Sequence, residues 1–270
     1  MMLDKESPLS TGERFDAYEM KDEGREHFIR LDSILNCSDF SSKMILDCGC
    51  GTGWGTHYLS KNSKAKQIIG IDKDIESIKF AHNKYLLKNN SFALGNIITL
   101  PFKDNTFDYI ICIEVIEHII DYNLLLIEIE RILKKNGVLF ISSPNKKMTS
   151  PGLGKPLNPR HVREFYFHEF KEILERHFEV AIYGENYNDP KSLEQHLKRL
   201  KITLYKRRFK YIYCFLQLIK LTKLIKIILQ MKNGRIITTA NKKENINYTI
   251  SSPTDTSIVY IGICSKKWSA

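Results

Sequence analysis

Residues 45–55 read ILDCGCGTGWG. An apolar run turns acidic at Asp47, and glycine then alternates with other residues at 49, 51, 53 and 55. Glycine lets a backbone turn tightly and come close to a ligand. In an open α/β sheet, ligands bind beyond the carboxyl ends of the strands, near the switch in strand order. If KMILD (43–47) is a buried strand, Gly49, Gly51 and Gly53 stand at that edge, with an acid two residues ahead of the first of them.

Apolar runs recur along the chain. QIIGID (67–72), SFALGN (91–96), FDYIICIE (107–114), VLFISSPN (138–145), FEVAIYG (178–184) and SIVYIGICSK (257–266) have the apolar density of strands buried on both faces. Between them, a helix can begin at 53–61, and IESIKFAHNKYLLKN (75–89) has helical spacing. Asp121 is placed to cap a helix running to Lys135 and stopped by Asn136-Gly137, and Phe165–His177 reads as another helix. Strands alternating with helices predict an α/β fold: a seven-stranded, mostly parallel sheet with helices on both faces. The domain reading is an N-terminal cap over 1–40, a main domain over 41–187 plus 253–270, and a basic helical insertion over 188–252 before the last strand.

Asp72 closes the second strand, where a carboxylate can accept hydrogen bonds from ribose hydroxyls. A nicotinamide-binding turn is the main rival, but its pyrophosphate would meet Asp47. A carboxylate there suits a cation such as an amino-acid ammonium. Ammonium at one end and ribose at the other describe S-adenosylmethionine.

With DCGCGTG, Asp72, GNIITLPFKDNTFDYIICIEVIEHI and GVLFISSPN in place, the chain resembles the class I S-adenosylmethionine-dependent methyltransferases over roughly residues 10–185 plus the last strand. The resemblance implies a Rossmann-like fold and S-adenosylmethionine as cofactor. It implies cofactor contacts from Asp47, Gly49, Gly51, Gly53, Asp72, Asn96, Ile97 and Glu114, with Asn96 and Ile97 at the adenine. Many relatives carry Asp where this chain has Asn96, and an amide oxygen can still accept from the adenine amino group. Trp54 either lines the methionine end or packs, and Gly55 serves helix–strand packing.

A second group follows the fourth strand. In EVIEHI (114–119), Glu114, Glu117 and His118 stand at i, i+3 and i+4, one face if the segment is helical. NPRHVREF (158–165) brings His161 to a loop beyond the fifth strand. Carboxylates and imidazoles crowd together at a cost unless something positive sits among them. The pattern is similar to the metal sites of small-RNA 3′-end 2′-O-methyltransferases and ubiquinone-pathway O-methyltransferases. That similarity implies Glu114, Glu117, His118 and His161 as ligands of Mg²⁺, Mn²⁺ or a softer ion. Without metal, His161 or His118 acts as general base beside Glu117. TGERF, EHFIRL, SSPN, NPRHVREF and HEFKEIL resemble methyltransferases found alongside bacterial polysaccharide glycosyltransferases, which implies a sugar acceptor flanked by Arg14, His27 and Arg163. Other readings stay open: a quinol or RNA 2′-hydroxyl acceptor, or a noncatalytic S-adenosylmethionine-binding partner.

A chain of 270 residues, 43% hydrophobic, buries a full core. Its first ten residues are polar, holding Asp4, Lys5 and Glu6, and no apolar run reaches the ~18 residues of a spanning helix, so a cytoplasmic location is expected. Six cysteines lack paired metal spacing and read as free thiols. The net charge of +10 is local: Lys191–Lys243 holds 15 Lys/Arg against one acid, leaving 26 basic and 30 acidic residues elsewhere. YKRRFKYIYCFLQLIKLTKLIKIILQMK (205–232) sets lysines and apolar residues at helical spacing. Such a helix suits the interface of an anionic membrane and a lipid-linked acceptor, a lid on the domain, or, ranked lower, nucleic acid.

Overall fold

The computed structural model describes residues 25–187, 190–208 and 248–267. Two compact units divide the chain: Met1–Asn186 with Tyr248–Ala270, and Tyr187–Asn247.

The first unit begins with helix α1 (Arg25–Asn36) and strand β1 (Met44–Cys48), whose last four residues are buried. Helix α2 (Trp54–Asn62), β2 (Gln67–Asp72), α3 (Ile75–Tyr85) and β3 (Asn90–Leu94) follow, then β4 (Phe107–Cys112), a 3-10 turn (Ile116–His118), α4 (Tyr122–Ile132) and β5 (Leu133–Pro144). The short α5 (Lys146–Thr149), α6 (Phe167–Glu175) and β6 (Phe178–Tyr187) precede the second unit's α7 (Pro190–Arg208); β7 (Tyr248–Ser251) and β8 (Val259–Lys266) return to the sheet.

Eight strands form one sheet in the order β3-β2-β1-β4-β5-β8-β6-β7. The first five are parallel, and β8 runs antiparallel between β5 and β6. Alternate residues of each strand serve opposite faces. Leu46, Ile110, Leu139 and Ile141 pack with Leu125, Ile129, Phe170 and Leu174 of α4 and α6. Their neighbours Ile45, Ile111 and Phe140 pack with Leu31, Ile34 and Leu59 of α1 and α2. The chain leaves β1 between β2 and β4, which puts the glycine stretch at the switch in strand order.

The α/β class, parallel core and two helical layers match the sequence reading, with five differences, the first being that the helix expected over Phe165–His177 spans Phe167–Glu175, since Phe165 bridges to Asn145 instead. Among the described residues there are eight strands rather than seven, because Tyr248–Ser251 adds an edge strand beside β6. Helix α3 stops at Tyr85 instead of running to residue 89: Asn90 bonds through Nδ2 to the Tyr85 carbonyl and through Oδ1 to the Leu87 amide, turning the chain out. Helix α4 ends at Ile132, not Lys135, because buried Leu133 pairs with Phe107 and starts β5 before a register shift; Asn136-Gly137 lie within that strand. Asp121 holds the N-cap position of α4, yet its side chain makes no capping bond.

The second unit contributes α7, stapled on its surface by a Glu194–Lys198 pair at 2.7 Å. Among the described residues, no helix is long and apolar enough to cross a membrane. The basic segment 205–232 lies outside the described residues beyond Arg208, as does Arg14.

Candidate active site

Strand β1 delivers Asp47 to the carboxyl edge of the sheet, where it is 9% exposed. Its Oδ2 accepts the Thr56 hydroxyl at 2.6 Å. Burial pushes the carboxyl up, the Thr56 hydrogen bond opposes this, and the Asp72 charge adds to it; the outcome is a pKa of about 6. A cation at this spot relieves both acids.

The glycine loop has two kinds of position. Gly49 and Gly53 have φ of 82° and 83°, and a Cβ on them would lie 2.6 Å from Val115 and 2.5 Å from Ala81, so no other residue fits. Gly51 has φ of 53°, and a Cβ there would meet nothing within 4 Å: its bare backbone faces open space. The loop amides turn inward. Those of Gly49 and Cys50 donate to the Ile71 carbonyl at 2.8 and 3.0 Å, that of Gly51 to Asp72 Oδ2 at 3.0 Å, and that of Gly53 to the Cys50 carbonyl. These amides, already bonded, do not form a pyrophosphate cradle. Asp72 also accepts from the Asp74 amide at 2.9 Å, and a carboxylate with about four acceptor positions retains capacity for hydroxyls. Asn96 is exposed with Oδ1 accepting from the Ile98 amide at 3.2 Å, and Ile97 beside it is buried. Trp54 packs edge-on against Phe28 and His27 of α1.

The second group forms past β4. Glu114 takes a left-handed φ of 55°, held by the Ser142 hydroxyl, which accepts from the Glu114 amide and donates to its carboxylate at 2.9 Å. The 3-10 turn follows. The single helical face expected for Glu114, Glu117 and His118 is therefore not formed: Glu117 and His118 go one way and Glu114 stays with Ser142. Glu117 is fully buried, and neither carboxylate oxygen has a hydrogen-bond partner. Burial first, then the Glu114 charge, push its carboxyl well above the usual range. Among the described residues, Glu117, His118 and His161 form the group able to hold a metal ion, with one donor atom each inside 4.8 Å.

Both imidazoles are oriented from behind. His118 Nδ1 lies 3.2 Å from the Arg160 carbonyl, which only accepts, so that nitrogen carries a proton, and Nε2 lies 3.9 Å from Glu117 Oε1. His161 Nδ1 lies 2.8 Å from Glu164 Oε1. The loop that carries His161 is pinned by amides of Val162 and Arg163 donating to the Glu117 carbonyl.

Nearby, Arg30 of α1 pairs with Glu185 of β6, both almost wholly buried, and its guanidinium reaches His27 Nδ1 at 3.2 Å. Burial, then Arg30, hold His27 well below its usual pKa, so it is neutral. Beyond Glu164 opens a cleft of about 540 Å³ lined by Tyr122, Lys146, Arg163 and Phe165, with the Arg163 guanidinium over the Tyr122 ring.

The structure thus gathers Asp47, Gly49, Gly51, Gly53 and Asp72 around one loop, and Glu117, His118 and His161 in a second group, with Glu114 outside the latter. Four participants escaped the sequence reading: Thr56, Ser142, Glu164 and the Arg30–Glu185 pair. Of these only Glu164, three residues after His161 in HVRE, has a local signal; the others depend on which strands and helices meet.

Residues 39–172 match the family model for a methyltransferase domain. A Mycolicibacterium smegmatis protein named as an S-adenosylmethionine-dependent methyltransferase is 35% identical over 131 residues, covering 48% of this chain and 49% of the relative. The ubiquinone biosynthesis O-methyltransferase of Pelagibacter ubique is 32% identical over 131 residues, 47% of this chain and 52% of that protein. The chain thus spans about half the length of these curated relatives. In fold, a solved S-adenosylmethionine-dependent methyltransferase from Thermotoga maritima superposes with a TM-score of 0.56 at 15% identity, over 89% of each chain. The sheet that carries ILDCGCGTGWG belongs to a class I S-adenosylmethionine-dependent methyltransferase domain.

Proposed function

We propose that this chain is an O-methyltransferase that acts on a hydroxylated small-molecule or lipid-like acceptor. A sugar of a surface polysaccharide or of a lipid-linked glycan is the acceptor favoured by the flanking motifs. One observation carries the reading: a fully buried carboxyl group without a hydrogen-bond partner, Glu117, sits with two imidazoles beside the carboxyl edge of the sheet in a methyltransferase domain. A buried carboxylate without hydrogen bonds is costly unless a proton or a cation shares the site.

The residues fit S-adenosylmethionine: Asp47 suits its ammonium, Asp72 its ribose, and the open backbone at Gly51 allows close approach. When bound, it supplies an electrophilic methyl group. The chain's task is then to align an acceptor oxygen and to weaken its O–H bond. Alignment alone can supply ~7–11 kcal/mol of barrier reduction. Glu117, His118 and His161 fit a divalent cation such as Mn²⁺ or Mg²⁺, with two imidazoles favouring Mn²⁺ or a softer ion. Such an ion would lower the acceptor hydroxyl's pKa and orient adjacent hydroxyls. A second reading makes His161 the general base, and the carboxylate behind its Nδ1 favours that role.

Calorimetric titration of S-adenosylhomocysteine tests the cofactor half. A saturable isotherm, lost in Asp72→Ala, is expected; the absence of any binding by the intact chain contradicts the reading.

A further inference from the structure

His161 is held from both sides. Its Nδ1 lies 2.8 Å from Glu164 Oε1 and its Nε2 lies 2.9 Å from Asn158 Nδ2. The proton assignment follows from the network. Asn158 Oδ1 accepts the Arg160 amide at 3.0 Å, so its NH₂ group is the end that faces His161. An NH₂ group only donates, so Nε2 must accept and carry the lone pair. Nδ1 then bears the hydrogen, which matches a carboxylate partner. Glu164 is itself fixed: its side chain is 1% exposed and its Oε2 accepts the Thr149 hydroxyl at 2.8 Å.

We propose that Glu164, anchored by Thr149, is a positioning residue that locks His161 in the Nδ1–H tautomer and so keeps Nε2 the accepting nitrogen, where the Asn158 NH₂ donates in this geometry and where an acceptor's proton or a metal ion would take its place. The proposal rests on the role given to His161 above. A histidine that ligates metal usually passes its other N–H to a carboxylate or carbonyl, and His118 does so to the Arg160 carbonyl. The same arrangement orients a general base. Glu164 acts through the imidazole, its Oε1 bonding His161 Nδ1 and its Oε2 bonding Thr149.

The test is a long-range ¹H–¹⁵N correlation on histidine-labelled protein at a pH where imidazoles are neutral, with His161→Asn to assign the signal. Wild type is expected to show His161 as the Nδ1–H form, and Glu164→Gln to shift it to a mixture or to Nε2–H. Glu164→Asp is expected to restore part of the wild-type signature. An Nε2–H wild type, or an unchanged tautomer in Glu164→Gln, overturns the proposal. If Glu164→Gln fails to fold, Thr149→Val removes one anchor without touching His161, and no shift there overturns it equally. Mn²⁺ titration adds a second readout: where wild type binds the ion, Glu164→Gln should lose about 10–100-fold in affinity, and equal affinities contradict the proposal. The tautomer is read without metal or methyl transfer. Failure of S-adenosylhomocysteine or Mn²⁺ binding would therefore strike the proposed function and leave the tautomer lock to stand or fall on the NMR signal.

Discussion

At Asp47 a carboxylate is kept in a nearly closed site, where Thr56 bonds it through its hydroxyl and its backbone and a second acid lies close by. The folded pKa of about 6 exceeds the ordinary 3.8, so the folded chain holds this proton more tightly than the unfolded one. The stabilising proton is fully present below pH 3.8 and is lost as pH rises through about 6, a swing of roughly 3 kcal/mol at most. Ligand binding runs the other way, because an ammonium needs the ionised form. S-adenosylhomocysteine affinity should therefore be flat above pH 7 and weaken about tenfold by pH 5. Asp47→Asn should bind weakly at every pH and lose that slope; calorimetry across pH checks both. The glycine stretch is legible at this scale because its demands are local: Gly49 and Gly53 need left-handed backbone whatever the rest of the chain does. Glu114 is not. Its spacing with Glu117 and His118 is helical, but Ser142, 28 residues away, holds it in a left-handed conformation that breaks the helical register.

Elements meet at the Arg30–Glu185 pair, where α1 is tied to the end of β6 across 155 residues. Removing one partner of a buried pair leaves an uncompensated charge and typically costs about 3–5 kcal/mol. Arg30→Met should lower stability by that order in denaturant melts, and Arg30→Met with Glu185→Gln should recover most of the loss. Equal destabilisation in the single and double variants would mean that the packing of α1, not the ion pair, holds the two together. Apolar density makes the strands legible from the amino-acid sequence, since both faces of each are covered. The ends of helices are less so. Asn90 closing α3 and Leu133 opening β5 act through side chain to backbone and strand to strand contacts that a run of helical spacing does not reveal.

For the molecule as a whole, charge is divided as sharply as structure. Residues 187–247 hold 15 Lys/Arg against three acids, within a chain of net charge +10. If that stretch meets an anionic membrane near a lipid-linked acceptor, the full chain should co-sediment with phosphatidylglycerol vesicles and be released by salt. A chain with 187–247 replaced by a short Gly/Ser linker should keep its S-adenosylhomocysteine affinity and lose the vesicles. Vesicle binding unaffected by that replacement removes the membrane role. The chemistry proposed for the chain depends most on the group beside the cofactor edge, Glu117 with His118 and His161. Its most direct test is Mn²⁺ titration into S-adenosylhomocysteine-saturated protein, comparing wild type with Glu117→Gln. A one-site isotherm is expected in wild type and should disappear in the variant while S-adenosylhomocysteine stays bound. Identical traces from the two proteins would contradict the metal-assisted reading.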